Sequence, residues 1–267
     1  MLFRKNTRHK PFERCLDQAP LQASLRQWFA SEPGQAYLQA EKQQLDNTLP
    51  DLFGYYLIQV GEVAETDLLT TSRVSRRHVV GLQPGVSSDL QATSWALPFK
   101  TDTIDVVILP HTLDFTPYPH QVLREVERIL IPEGHVVITG FNPLSLWQLW
   151  RWSLGWRRQP PWCGHFFGQF RLRDWLTLLG FDVTHKQYFF YRPPVRNARL
   201  MQRLGFMEKL GQRLWPIAGA GYMLVARKRV ETLTPIRQKW STRKKVVSSG
   251  LVESRLSHQE RKEAVSD

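Results

Sequence analysis

The sequence predicts an α/β protein built on a mostly parallel β-sheet, with helices before the sheet and a polar tail after it. Two observations carry the prediction. Short apolar runs rich in β-branched residues, at 104–109 and 135–139, read as strands buried on both faces. Between them lies a segment of helical periodicity closed by Pro132 and Gly134, so that strand, helix and strand make a right-handed βαβ unit. Size agrees, since 267 residues with 42% hydrophobic content can fill one large domain with appendages.

The elements follow in order. Leu21, Leu25, Trp28 and Phe29 share one face of a helix expected to end before Pro33-Gly34. A second helix, 36–49, carries Leu38, Leu45 and Leu49 and stops at Pro50. Residues 55–61 are the expected first strand, 77–84 the second and 90–93 the third. After the fourth strand, 104–109, the stretch 111–119 contains Pro117 and Pro119 and reads as a loop. From His120 the apolar residues Val122, Leu123, Val126, Ile129 and Leu130 keep helical spacing, opposite Arg124, Glu125, Glu127 and Arg128.

Downstream of the fifth strand, 144–168 is an insertion rich in Trp and Arg. Trp147, Trp150, Trp152, Trp156 and Trp162 are too many for one side of one helix. Such a segment suits packing on a sheet edge, a lid over an apolar substrate, a membrane interface or a nucleic-acid surface. Leu172, Trp175, Leu176 and Leu179 make another helical face, closed by Gly180. A sixth strand runs over 181–191. Leu200, Leu204, Met207, Gly211 and Leu214 then follow helical spacing opposite Arg196, Arg199, Arg203 and Arg213. The last strand is 222–226. Residues 230–267 are polar, mixed in charge and poor in apolar periodicity, as a disordered tail would be.

Composition narrows the setting. The formal net charge is +12, which favours anionic partners such as RNA or an anionic membrane surface. Between Arg192 and Arg229 the basic residues face a single acid, Glu208, and a solvated basic face explains that run equally well. Cys15 and Cys163 are far apart and lack metal-ligand spacing, so reduced thiols in a cytoplasmic protein are expected and no metal site is. The basic N-terminus has no apolar segment of the kind a secretory signal needs.

Leu97-Pro98-Phe99, Ile104-Asp105-Val106-Val107 and the run from Leu123 to Gly134 together resemble the class I S-adenosylmethionine (SAM)-dependent methyltransferases. The similarity is nearest to the quinone-biosynthesis C-methyltransferase type and its bacterial relatives. It spans 55–229 and implies a Rossmann-like, seven-stranded sheet whose last strand inserts antiparallel between the fifth and sixth. It also implies a division into an N-terminal helical extension (1–50), a methyltransferase-like domain (51–229) and the tail. In such folds an N-terminal extension covers the substrate side or packs on a sheet edge.

By the same resemblance, SAM would bind across Gly61, Glu62, Gln83, Thr93, Ser94, Leu109 and Pro110. Several positions depart from the family pattern. Gln59, Gln83 and Thr93 stand where acids are usual, and Val63 and Glu65 stand where later glycines are usual. His111, Asp114, Tyr118 and His120 are the titratable groups of the loop after the fourth strand. His111 suits a catalytic base if the acceptor must lose a proton, and a backbone-bonded loop histidine is its structural alternative. Asp114 reads as a turn or cap residue. The leading reading is methyl transfer to an unidentified acceptor, with an apolar small molecule fitting the Trp-rich insertion. A degenerate fold serving as a binding scaffold, and an RNA methyltransferase, are the alternatives.

Overall fold

Alternating side chains along the central strands supply two apolar surfaces, and helices cover both. The computed structural model describes residues 18–62, 66–81, 88–148, 162, 164–193 and 203–229. Its strands are β1 (Tyr56–Val60), β2 (Arg76–Gly81), β3 (Leu90–Gln91), β4 (Ile104–Pro110), β5 (Leu130–Phe141), β6 (Phe181–Phe189) and β7 (Gly221–Lys228). They form one seven-stranded sheet in the order β3-β2-β1-β4-β5-β7-β6. All pairs are parallel except those of β7, which runs antiparallel to β5 and to β6. This is the expected Rossmann-like arrangement, including the place of the last strand.

On one face Leu57, Val106, Ile108, Val137 and Met223 pack under helices α1 (Gln18–Phe29) and α2 (Glu32–Thr48). On the other, Ile58, Val107, Leu109, Val136 and Leu224 pack under α4 (Pro119–Ile129) and α5 (Gln169–Leu178). Between β4 and α4 lies a short helix, α3 (Thr112–Phe115), where a plain loop was expected. Helix α6 (Phe206–Leu214) and a 3-10 turn (Pro216–Ala218) precede β7. Residues Met1–Glu231 group into one compact unit. The second unit, Thr232–Asp267, lies outside the described residues, as does the expected disordered tail.

Several boundaries move for physical reasons. Helix α2 begins at Glu32, because Pro33 occupies its first turn, where a missing N–H costs nothing. Gly34 then lies inside the helix, where a Cβ would stand 2.1 Å from the Trp28 carbonyl oxygen, so only glycine lets the end of α1 cross this closely. Strand β5 starts at Leu130, which pairs with Ile104 across a register shift, and Pro132 and Gly134 fall inside the irregular start of the strand. Strand β3 stops at Gln91, and Thr93 turns away to bridge Ala96.

Candidate active site

The chain order reverses between β1 and β4. From β1 the sheet builds through β2 to β3, and from β4 it builds the other way through β5. The carboxyl ends of these two strands therefore open a crevice at a topological switch point, where open α/β sheets hold ligands. Gly61 follows β1, Leu109 and Pro110 end β4 and His111 follows it, so four of the residues singled out in the sequence lie at these strand ends.

Gly61 has φ of 92°, a backbone conformation that glycine adopts without strain. Its N–H donates to the Val80 carbonyl (2.9 Å), and the Gln59 amide Nε2 donates to its carbonyl (3.0 Å). A carboxylate at position 59 could not make that second bond, so the glutamine locks the turn in a way the usual acid would not. The Thr112 hydroxyl donates to the Val60 carbonyl, tying the β1 turn to the loop after β4. Glu62 points its side chain into a largely enclosed spot, 3.8 Å from the Arg26 guanidinium. Burial pushes the Glu62 carboxyl up, and Arg26 pulls it back only in part. Its Oε1 is buried without a hydrogen-bond partner.

Ser94 is buried, whereas Thr93 is exposed. Leu109 and Pro110 are buried in β4. Gln83, Val63 and Glu65 lie outside the described residues, as do Cys15, Cys163, Trp150, Trp152 and Trp156. Among the described residues no group of His, Cys, Asp and Glu could hold a metal ion.

His111 is the least expected of these residues in its setting. It adopts φ of 52°, left-handed for a non-glycine residue, and its ring is buried. Its Nδ1 stands 3.1 Å from Asp114 Oδ2, and its Nε2 stands 3.4 Å from Glu41 Oε2, an ion-pair distance without hydrogen-bond geometry. Burial alone would lower the His111 value. The Glu41 charge and the Asp114 hydrogen bond outweigh it and raise the ring to about 9, so it is an imidazolium at neutral pH. Asp114 also accepts from the Phe141 N–H (2.9 Å), and its backbone carbonyl accepts from the His165 N–H (2.8 Å). Burial pushes its carboxyl up, while His111 and the Phe141 N–H pull it down. Asp114 is thus the anchor of its turn.

Glu41 comes from α2, is fully buried, and did not stand out in the sequence. The signal was present: Leu38, Glu41 and Leu45 fall on one helical face, so an acid interrupts an apolar stripe. Aromatic rings seal the cluster. Phe141 lies 4.2 Å, Tyr37 5.6 Å and Phe29 5.7 Å from the imidazole, measured between ring centroids. Burial raises the phenols of Tyr37 and Tyr222 well above their ordinary value, and neither hydroxyl has a partner. The other two loop groups stay apart: His120 is exposed against Trp175, and Tyr118 is half-exposed against Trp95.

A mostly parallel sheet with one inserted antiparallel strand, and a glycine turn facing the loop after β4, define a methyltransferase-type α/β protein. Residues 55–138 match the family described as a methyltransferase domain. The chain is 33% identical over 207 residues to the uncharacterized protein YafS of Escherichia coli (strain K12), covering 77% of this chain and 82% of YafS. The chain belongs to the class I SAM-dependent methyltransferase family, whose cofactor is SAM. Among solved structures, a SAM-dependent methyltransferase of Thermotoga maritima, described as a possible histamine N-methyltransferase, superposes with a TM-score of 0.51 at 18% identity. That match covers 82% of this chain and 98% of the other. The putative methyltransferase of Haloferax volcanii, solved with its Trm112 activator, gives 0.52 at 15% identity over 77% of this chain and 98% of its own. These two likenesses establish the fold.

Proposed function

We propose that this methyltransferase acts on an apolar or amphipathic small molecule, and that Glu41, His111 and Asp114 form an ionic latch closing the N-terminal helices over its acceptor side. The observation that supports this is the position of the latch. It sits at the carboxyl end of β4, beside the Gly61 turn, with one of its members brought from α2. A charged triad is costly to bury, and the sheet end it occupies is where ligands of this fold class gather.

SAM supplies a methyl group on a sulfonium, and the chain's work is to hold, orient and dry the reacting pair. The residues present suit the cofactor at Gly61 and Glu62, because the buried, unpartnered Glu62 Oε1 is a ready acceptor for a hydroxyl or ammonium group. Ser94, Leu109 and Pro110 complete this reading, Thr93 belongs to its outer edge, and Gln83 lies outside the described residues. As an imidazolium, His111 does not take a proton from the acceptor at neutral pH; it holds α2 in place. Phe29, Tyr37 and Phe141 pack around the buried ring, so an acceptor would reach it only if the latch loosened. A cytoplasmic site of action is part of the same reading.

Calorimetric titration with SAM and with its demethylated product tests the cofactor site. Micromolar binding that weakens in Glu62→Gln is expected. Absence of heat up to millimolar cofactor, in protein whose folding is confirmed by circular dichroism, would shift the reading to a degenerate, scaffold-type fold. Transfer of isotope-labelled methyl groups into apolar rather than polar acceptors then tests the substrate class.

A further inference from the structure

Phe206, Leu210 and Leu214 recur every four residues along α6 and make one apolar stripe. Such a stripe ordinarily faces a core. Here it faces solvent: the three side chains are 61%, 48% and 71% exposed, and no residue of α6 is buried. The helix is docked by its opposite side. Glu208 accepts a hydrogen bond from the Tyr191 N–H (3.0 Å) and pairs with Arg192 at 3.4 Å. Gly211 meets the Tyr191 ring so closely that a Cβ would stand 2.6 Å from it.

The apolar surface continues past the helix. Trp215 is 68% exposed, and Ile217 follows it on the 3-10 turn. Ile217 also lines a groove of about 430 Å³ with Phe170, Arg173, Lys186 and Gln212. Cations border the whole surface: Arg203, Lys209 and Arg213 flank the stripe, and Arg173 and Lys186 flank the groove. The one acid of α6, Glu208, is turned inward.

We propose that α6, Trp215 and the groove beside Ile217 form a docking surface for an anionic phospholipid bilayer. Charge complementarity selects this partner. Aromatic and leucine side chains ringed by lysine and arginine, on a chain of net charge +12, match the boundary between acyl chains and anionic headgroups. Among the described residues no helix is long and apolar enough to cross a membrane. The patch is also tied to the sheet end that carries the candidate site. Asn142, just after β5, donates through Nδ2 to the Ile217 (2.7 Å) and Gly219 (2.8 Å) carbonyls. The inference concerns where the chain sits, and it stands whether or not the reading of the acceptor holds.

Flotation of the full chain with vesicles of phosphatidylcholine, alone or with about 30% phosphatidylglycerol, is the test. Binding to the anionic vesicles only is expected. The double variant Leu210→Asp, Leu214→Asp should weaken it by at least about tenfold, since apolar contact drives insertion. Lys209→Glu with Arg213→Glu should weaken it several-fold and reduce its sensitivity to salt. Unchanged vesicle binding in both variants would overturn the proposal, because attachment would then lie elsewhere, for instance in 144–168. So would binding to neither vesicle, or a self-association seen by analytical ultracentrifugation that the leucine variants abolish. Salt-sensitive RNA binding through the same lysine and arginine, without vesicle binding, would also overturn it.

Discussion

Helix α2 carries a glutamate into the core, whereas α6 holds a phenylalanine and two leucines out in solvent. Both depart from the rule that apolar groups go in and charges stay out, and such departures say more than obedience does. The α2 departure is compensated within the molecule, because Glu41 meets His111 and the ring is held as its counter-ion. Among the described residues the α6 departure has no such compensation: its polar side already uses the Tyr191 backbone, and its apolar side is exposed. The first pattern is that of a closed site, and the second is that of a surface awaiting a partner.

The largest expected effect comes from breaking the latch. His111→Leu leaves the Glu41 and Asp114 carboxylates buried without their cation and should cost about 3–5 kcal/mol in urea unfolding. A loss under about 1 kcal/mol would mean that the cluster is already neutral or hydrated.

A pH series sharpens the same point. His111 has a folded value of about 9 against an ordinary 6.5, so its stabilisation is complete below pH 6.5 and is lost as pH rises through 9. The melting temperature should fall across that window. In Glu41→Gln the fall should be shallower, because the largest influence raising the ring is gone. Asp114 is also raised, so its contribution is complete below 3.8 and is lost as pH climbs through its higher folded value.

The docking of α6 offers an intermediate effect. Gly211→Ala forces a Cβ into the Tyr191 ring and should cost about 1–3 kcal/mol, with faster amide exchange confined to α6. Exchange spread over the whole sheet would show that α6 is not a separately docked element. The smallest effect is expected on the outer side. Leu210→Asp should change stability by no more than about 0.5 kcal/mol, since the side chain already lies in solvent. A larger loss would mean that the stripe has a partner within the chain.

The βαβ unit from β4 to β5 was legible because periodicity switches sharply from strand to helix and back. The antiparallel place of β7 followed from family resemblance, since the apolar run around Met223 and Leu224 reads the same in either direction. The latch was only partly legible: Glu41 interrupts the stripe of Leu38 and Leu45, but it sits among glutamines and a lysine and so looks like part of a solvated face. Only its partner, seventy positions away in the Glu41–His111 contact, reveals its side. The spacing of Leu214 and its neighbours announced α6 but not its orientation. Amphipathicity says that two faces differ, and which one is buried depends on what the helix packs against. Likewise Gln59 reads as a missing acid until its amide is seen donating to Gly61.

The most direct test of the latch is an NMR titration of the His111 ring, using ring-nitrogen-labelled protein and assigning the signal by its loss in His111→Gln. A buried imidazolium held by Glu41 should stay protonated through neutral pH, titrate near 9, and fall toward the ordinary value in Glu41→Gln. A ring that is already neutral at pH 7, or one whose titration ignores Glu41→Gln, would contradict the account of how α2 is held over the site.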